Sequence, residues 1–144
     1  MTSVDEVEFS TAVARVDRDW LWQELTAHTY WAKYRTRGMF DRQLDTAWRV
    51  VGAYRAADGQ MVGFCRAFSD GVAMAYLADV YVCAAHRGHG IGQALVGLMI
   101  DDGPGRDFRW MLHTADAHRL YAAFGFTAPD SMFMERAPRL PHVR

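Results

Sequence analysis

Arg87-Gly88-His89-Gly90-Ile91-Gly92 is the stretch on which the reading of this chain turns. Its alternating glycines stand between a long run of strand character, Val72 to Val82, and a helical segment, Gln93 to Ile100. Ile91, Leu95, Leu98 and Met99 make the apolar stripe of that helix. Glycine lets backbone N–H groups approach an anion with no Cβ in the way, and it accepts left-handed dihedrals. A helix start adds unpaired donors and the positive end of a dipole. The stretch therefore predicts strand, anion-binding turn and helix. Gly88, His89, Gly90, Ile91, Gly92 and Gln93 are candidate pyrophosphate contacts, with Arg87 as a fixed charge or a brace.

Upstream of the loop, Trp48 to Arg55 and Gln60 to Phe68 also read as strands. Asp58-Gly59 and Ser69-Asp70-Gly71 turn the chain between them and into Val72 to Val82, which makes an antiparallel meander. Earlier still, Val7 and Phe9 alternate with acidic residues as a short first strand. Trp20, Leu21 and Leu25 share a helical face after the candidate N-cap Asp17, and Phe40, Leu44 and Ala47 suggest a second helix after Gly38. Downstream, Asp102-Gly103-Pro104-Gly105 stops the helix, Phe108 to His113 reads as a buried strand, and Asp116 to Phe124 as a helix closed by Gly125. A last strand is expected from Phe126, then a loose tail over residues 137–144. The class is α/β, with a mixed sheet of α+β character and helices on it, in one domain spanning residues 1–144.

The totals narrow the function. Of 144 residues, 51% are apolar and 23% charged, which suits one packed core. The net charge of −1 offers no broad attraction for nucleic acid or an anionic membrane, and neither partner is expected. No apolar run approaches the roughly 20 residues of a membrane span, and the polar, acidic start has no signal-peptide pattern. A cytoplasmic location is the expectation. Cys65 and Cys83 form no disulfide framework, and His86 and His89 lack a third ligand at useful spacing, so no metal is expected.

Three kinds of glycine loop compete for this stretch. A Walker A loop ends in Gly-Lys-Ser/Thr, whereas Gly92 is followed by Gln93-Ala94. A dinucleotide fingerprint needs its third glycine where Gln93 or Leu95 stands. What remains is Arg/Gln-x-x-Gly-x-Gly/Ala, met by Arg87, Gly90 and Gly92. That pattern resembles the cofactor loop of the GNAT acyltransferases. The strand Tyr76-Leu77-Ala78-Asp79-Val80-Tyr81-Val82 before the loop, and Leu120-Tyr121-Ala122-Ala123-Phe124-Gly125-Phe126 after it, extend the resemblance over roughly Gln60 to Phe126.

The resemblance implies acetyl-CoA as cosubstrate, a mostly antiparallel sheet with a splayed strand pair, and transfer of acetyl to a primary amine of a small molecule or amino acid. It implies that Val80, Tyr81 and Val82 line the pantetheine arm beside a β-bulge, and that Tyr121 returns a proton to the departing thiolate. Thr114 stands where many relatives carry Asn. Asp79 is the candidate carboxylate for deprotonating the amine, for orienting it, or for a structural role. Ala78 replaces the Glu of a Glu-Asp pair common in diamine acetyltransferases, which argues against polyamine specificity. Tyr30, Trp31 and Arg35, in the connector between the first two helices, are candidate acceptor contacts, and His113 and His118 candidate supports of that pocket. A protein N-terminus or lysine as acceptor, and a non-catalytic acyl-CoA sensor, stay open beside the small-molecule reading. A homodimer is the expected assembly by analogy of fold.

Overall fold

Asp17 opens the first helix as its spacing predicts: its carboxylate accepts from the Trp20 N–H at 3.1 Å, capping α1, Arg18–His28. Leu21 and Leu25 on the inner face of α1 are fully buried. Thr36 caps α2, Arg37–Asp45, by accepting from the Met39 N–H at 3.2 Å. Gly38 thus lies inside the first turn of α2, not ahead of it, and Ala47 falls beyond its end. The structure is a computed structural model and describes residues 4–30, 32 and 34–139.

Five strands form one sheet in the order β1-β2-β3-β4-β5. They are β1, Val7–Ser10; β2, Arg49–Arg55; β3, Met61–Ser69; β4, Met74–Val82; and β5, Arg109–Met111. The first four are antiparallel in sequence order, so the meander stands as expected. β5 runs parallel to β4 and pairs with it over three residues only, Met74↔Arg109 to Tyr76↔Met111. Between these two strands the chain crosses over through α3, Ile91–Met99. The mixed sheet with a splayed pair is the expected class.

The sheet has a core on each face. On one face α3 packs Ile91, Leu95, Val96 and Met99 against Val51, Cys65 and Leu77. On the other, α1 and α2 pack Leu21, Leu25, Phe40 and Leu44 against Val50, Tyr54 and Phe64. Fully burying such side chains stabilises by about 1.5–3 kcal/mol each, which clamps the sheet from both sides.

Local hydrogen bonding explains the differences from expectation. β4 starts at Met74 because the Asp70 carboxylate accepts from the N–H groups of Val72, Ala73 and Met74, holding them in a turn. β5 is shorter and less buried than expected, with Arg109 exposed. α4 is also short, His118–Ala122, and Gly125 closes it at φ +86°. The strand expected from Phe126 is absent among the described residues. There Asp130 folds the chain into a turn, its carboxylate accepting from the Met132 N–H at 3.0 Å, and Met132 and Met134 are left exposed.

Candidate active site

The centre of the site is an irregularity in β4. Arg66 pairs with Ala78 and Phe64 with Tyr81, so two steps on β3 are matched by three on β4. The extra residue makes a β-bulge, and Asp79 in it has φ +55°, the one positive φ outside glycine among the described residues. Aspartate is among the few side chains that accept this region. Its carboxylate is buried and doubly clamped. Arg35 donates Nη2–H to Oδ1 at 2.8 Å and Nη1–H to Oδ2 at 2.9 Å, while Arg66 donates Nε–H to Oδ2 at 2.7 Å. Arg35 also donates to Oε1 of Gln43 at 2.7 Å, tying α2 into the cluster.

Burial pushes the Asp79 carboxyl upward, but Arg66 and Arg35 overcome that and hold it below the usual carboxylate range. A carboxylate so held is a poor proton acceptor. Of the roles open to Asp79 the geometry favours the structural one: its carboxylate anchors the bulge, and Arg35 is engaged by Asp79 and Gln43. Trp31, the third connector candidate, lies outside the described residues.

The bulge reverses which side chains face which core. Before it Leu77 belongs to the α3 side; after it Val80 and Val82 do, and Tyr81 turns to the α1 side. Tyr81 donates its hydroxyl to Oε1 of Glu24 at 3.1 Å, and its pKa is pushed up to about 12 by burial and then by Glu24. Tyr81 can thus offer the cleft only its backbone. Because β5 leaves β4 after Tyr76, no strand among the described residues pairs with that edge of β4 from Leu77 onward. This wedge, with backbone donors and acceptors along one wall, suits an extended amide-bearing arm.

Past Val82 the chain enters the glycine loop. Arg87 donates Nε–H to the Val82 carbonyl at 2.8 Å and lies over the Tyr81 ring, so it braces the loop. Gly88 and Gly90 have φ of +79° and +82°, and a Cβ on either would meet nothing within 4 Å. Conformation, not space, requires glycine at both. Gly90 caps α3 without a side chain, and no acidic residue occupies the first turn, so the N–H groups of that turn face outward uncapped. At Gly92 an added Cβ would meet only a Val82 methyl at 3.7 Å, so the protein itself does not demand glycine there. Glycine within a helix costs about 1 kcal/mol relative to alanine. Its presence fits a group from outside approaching the backbone. Ile91 is buried and anchors the turn, His89 is half-buried and Gln93 exposed. The donors, dipole and open space fit a diphosphate.

Tyr121 projects from α4 into the α3-side core that Val80 and Val82 also join, with its ring edge-on to Phe126 at 5.9 Å. Burial, with smaller contributions from Cys65, Asp116 and Tyr30, pushes its pKa up to about 12. It is therefore held as a neutral phenol, a proton donor. Thr114 caps the turn into α4, its Oγ1 accepting from the Ala117 N–H at 3.0 Å. One residue on, Ala115 donates its N–H to the Tyr30 hydroxyl at 3.0 Å. The connector thus reaches across to the turn before Tyr121.

Two clusters had little signal in the sequence. His113 lies between the Tyr76 hydroxyl and the Glu135 carboxylate, contacting each through a different ring nitrogen. Only His113 of the three suggested a pocket, because the partners are 37 and 22 residues away. Cys83 Sγ lies 3.0 Å from Nδ1 of His86 beside the loop, but burial raises the thiol's pKa and keeps it protonated. Among the described residues no group of three or more His, Cys, Asp or Glu side chains is placed to hold a metal ion.

Comparison with known proteins agrees with this geometry. The sequence model described as "Acetyltransferase (GNAT) family" matches residues 15–126. A solved Xanthomonas campestris protein assigned to the GNAT family is 35% identical, with a TM-score of 0.84 and 95% of each chain covered. A Clostridium acetobutylicum protein solved with acetyl-CoA shares the fold at 14% identity, with a TM-score of 0.67, over 91% of this chain and 96% of that one. N-alpha-acetyltransferase 40 of Saccharomyces cerevisiae is 34% identical over 85 residues, 51% of this chain. That match spans 30% of the yeast protein's length.

Proposed function

The chain belongs to the GNAT acetyltransferase family, and from that premise we propose that it moves acetyl from acetyl-CoA to a primary amine of a small molecule or amino acid, by direct attack in a ternary complex. One observation carries the reading. On one face of β4 beyond the bulge, an open wedge leads from an uncapped helix start to a buried, protonated Tyr121. In this reading the N–H groups from Gly88 to Gln93 hold the pyrophosphate, and the free edge from Val80 to Val82 holds the pantetheine arm. A backbone N–H on that edge steadies the oxyanion formed when the amine nitrogen attacks the thioester carbon. Such a donor is worth about 10²–10³ in rate in measured cases.

As the C–S bond breaks, Tyr121 gives its proton to sulfur. The apolar surroundings that raise the phenol's pKa also raise that of a thiolate formed there, so the transfer stays feasible. Tyr30 favours a small acceptor: its bond to Ala115 closes one side of the entrance, whereas a peptide needs an open groove. The likeness to yeast N-alpha-acetyltransferase 40 favours a second reading, a protein N-terminus as acceptor.

The test is release of free thiol from acetyl-CoA across a panel of amines, amino acids and short peptides with free N-termini. Turnover confined to small amines is the expected result. Turnover confined to peptides selects the second reading. Binding of acetyl-CoA with no thiol release from any member makes the protein a sensor and removes the enzymatic reading.

A further inference from the structure

We infer that Tyr76, His113 and Glu135 form a proton relay that deprotonates the incoming ammonium, with Tyr76 as the catalytic base and His113 and Glu135 acting through it. The inference rests on the acetyl-transfer reading above and assigns the base that Asp79, clamped by two guanidinium groups, does not supply.

Position comes first. The loop read as the pyrophosphate site follows Val82, so the arm of the cosubstrate runs back along β4 toward the bulge at Asp79. The acceptor then enters from beyond the bulge, toward Ala78 and Tyr76. Tyr76 and Met111 are the last paired residues before β4 and β5 part, so the Tyr76 hydroxyl stands at the fork. Strand alternation turns it to the face opposite Leu77, and its ring stacks on Phe68 at 4.9 Å and 11°. His113 lies two residues past Met111, and the Ala115–Tyr30 bond closes the same turn.

Chemistry comes second. Of the two neutral tautomers of His113, only the one with the proton on Nε2 makes both contacts hydrogen bonds. Nε2–H donates to Glu135, and Nδ1 accepts from the Tyr76 O–H. The imidazolium satisfies both as well, donating from each nitrogen. The cluster is therefore bonded before and after a proton arrives, as a relay requires. Charged and titratable groups facing it are Glu135 from the tail and Arg66 from β3, with Tyr30 from the connector at the same turn. Burial, reinforced by Glu135, raises the Tyr76 phenol, so it enters the step protonated.

The protons balance. The ammonium gives one to the Tyr76 oxygen as the phenol passes its own to Nδ1 of His113, and the exposed imidazolium returns that proton to solvent. The neutral nitrogen then bonds to the thioester carbon. The second N–H proton of the tetrahedral adduct replaces the one that Tyr121 gives to sulfur.

The experiment measures thiol release with the best acceptor of the panel, from neutral to alkaline pH, for wild type, Tyr76→Phe, His113→Ala and Glu135→Gln, with acetyl-CoA affinity followed by calorimetry. At neutral pH, His113→Ala and Tyr76→Phe are each expected to lower kcat by about 10²-fold, the lower range for general base catalysis. Acetyl-CoA affinity should stay within about twofold of wild type, since the relay does not touch the donor. Free imidazole should restore part of the rate of His113→Ala. The deficit should shrink at alkaline pH, where the amine sheds its own proton. Glu135→Gln, on the exposed tail and harmless to the core, should lose about tenfold. Equal kcat and pH dependence in His113→Ala and wild type overturns the relay. A deficit that neither imidazole nor alkaline pH relieves makes His113 structural and overturns it as well. Those outcomes leave the acetyl-transfer reading standing; a wild type that binds acetyl-CoA but releases no thiol removes both.

Discussion

In the reading proposed above, the donor and acceptor halves of the cleft are built from different materials. The donor half, from Val80 through the glycine loop into α3, is backbone: a free strand edge, two left-handed glycines and an uncapped helix start. The acceptor half is side chains drawn from distant parts of the chain: Tyr30 from the connector, Tyr76 from β4, His113 from the turn after β5 and Glu135 from the tail. A backbone site is fixed by the fold, whereas a site made of side chains can change its residues without disturbing the fold. Between the halves lies the Arg35–Asp79–Arg66 cluster, joining the connector and β3 to the bulge.

If that cluster holds the halves together, breaking it should produce the largest effect. Asp79→Ala leaves two buried guanidinium groups without their carboxylate and puts alanine at φ +55°. Removing one partner of a buried ion pair typically costs about 3–5 kcal/mol. Chemical denaturation should show a loss of that order, and any folded fraction should bind both acetyl-CoA and acceptor more weakly. The same carboxyl sets an acid limit. Its folded pKa is depressed, so its contribution is present above the unfolded value of about 3.9 and is lost as pH falls through the lower folded value. Acid melts of wild type should show that loss below about pH 4, and Asp79→Asn should lack it.

Tyr121→Phe tests the chemistry between the halves. It removes the proton donor but keeps the ring, so stability and acetyl-CoA affinity should hold while kcat falls by about 10²–10³-fold. An unchanged kcat would take Tyr121 out of the mechanism. Gly92→Ala isolates the donor half. The added methyl meets only Val82 at ordinary contact distance, so the helix should gain up to about 1 kcal/mol while acetyl-CoA binds about tenfold more weakly. Gain in one and loss in the other would mark Gly92 as kept for the ligand. Equal affinity would mean that nothing approaches the backbone there.

The same difference decides what was legible in the sequence. The donor half is contiguous, and each glycine there has a local reason, so the loop, the strand before it and α3 were readable in order. Tyr121 was marked as a candidate by its neighbours in the Leu-Tyr-x-x-x-Gly-Phe pattern. Asp79 stood out as an acid in an apolar strand, but its role depended on Arg35 and Arg66, which lie 44 and 13 residues away. Nothing local marks such a partner. The expected last strand failed for a local reason instead: Asp130 makes a turn in the segment read as a strand from Phe126. Tyr76 and Glu135 carried no signal, because a side-chain relay exists only once the sheet has brought its members together.

Tyr30→Phe bears mainly on the acceptor half and should have the smallest effect. The hydroxyl accepts from the Ala115 N–H across the entrance, while the exposed ring contributes little to either core. A neutral hydrogen bond contributes about 0.5–1.5 kcal/mol net, and at an exposed site the lower end applies. Acceptor KM should therefore rise by about two- to fivefold, with acetyl-CoA affinity, kcat and melting temperature nearly unchanged. A peptide acceptor reverses the sign: opening the entrance would admit a longer chain and lower its KM. The direction of this small shift, measured with one amine and one peptide, separates a closed pocket from an open groove. It does so without disturbing the donor half or the cluster that joins the two.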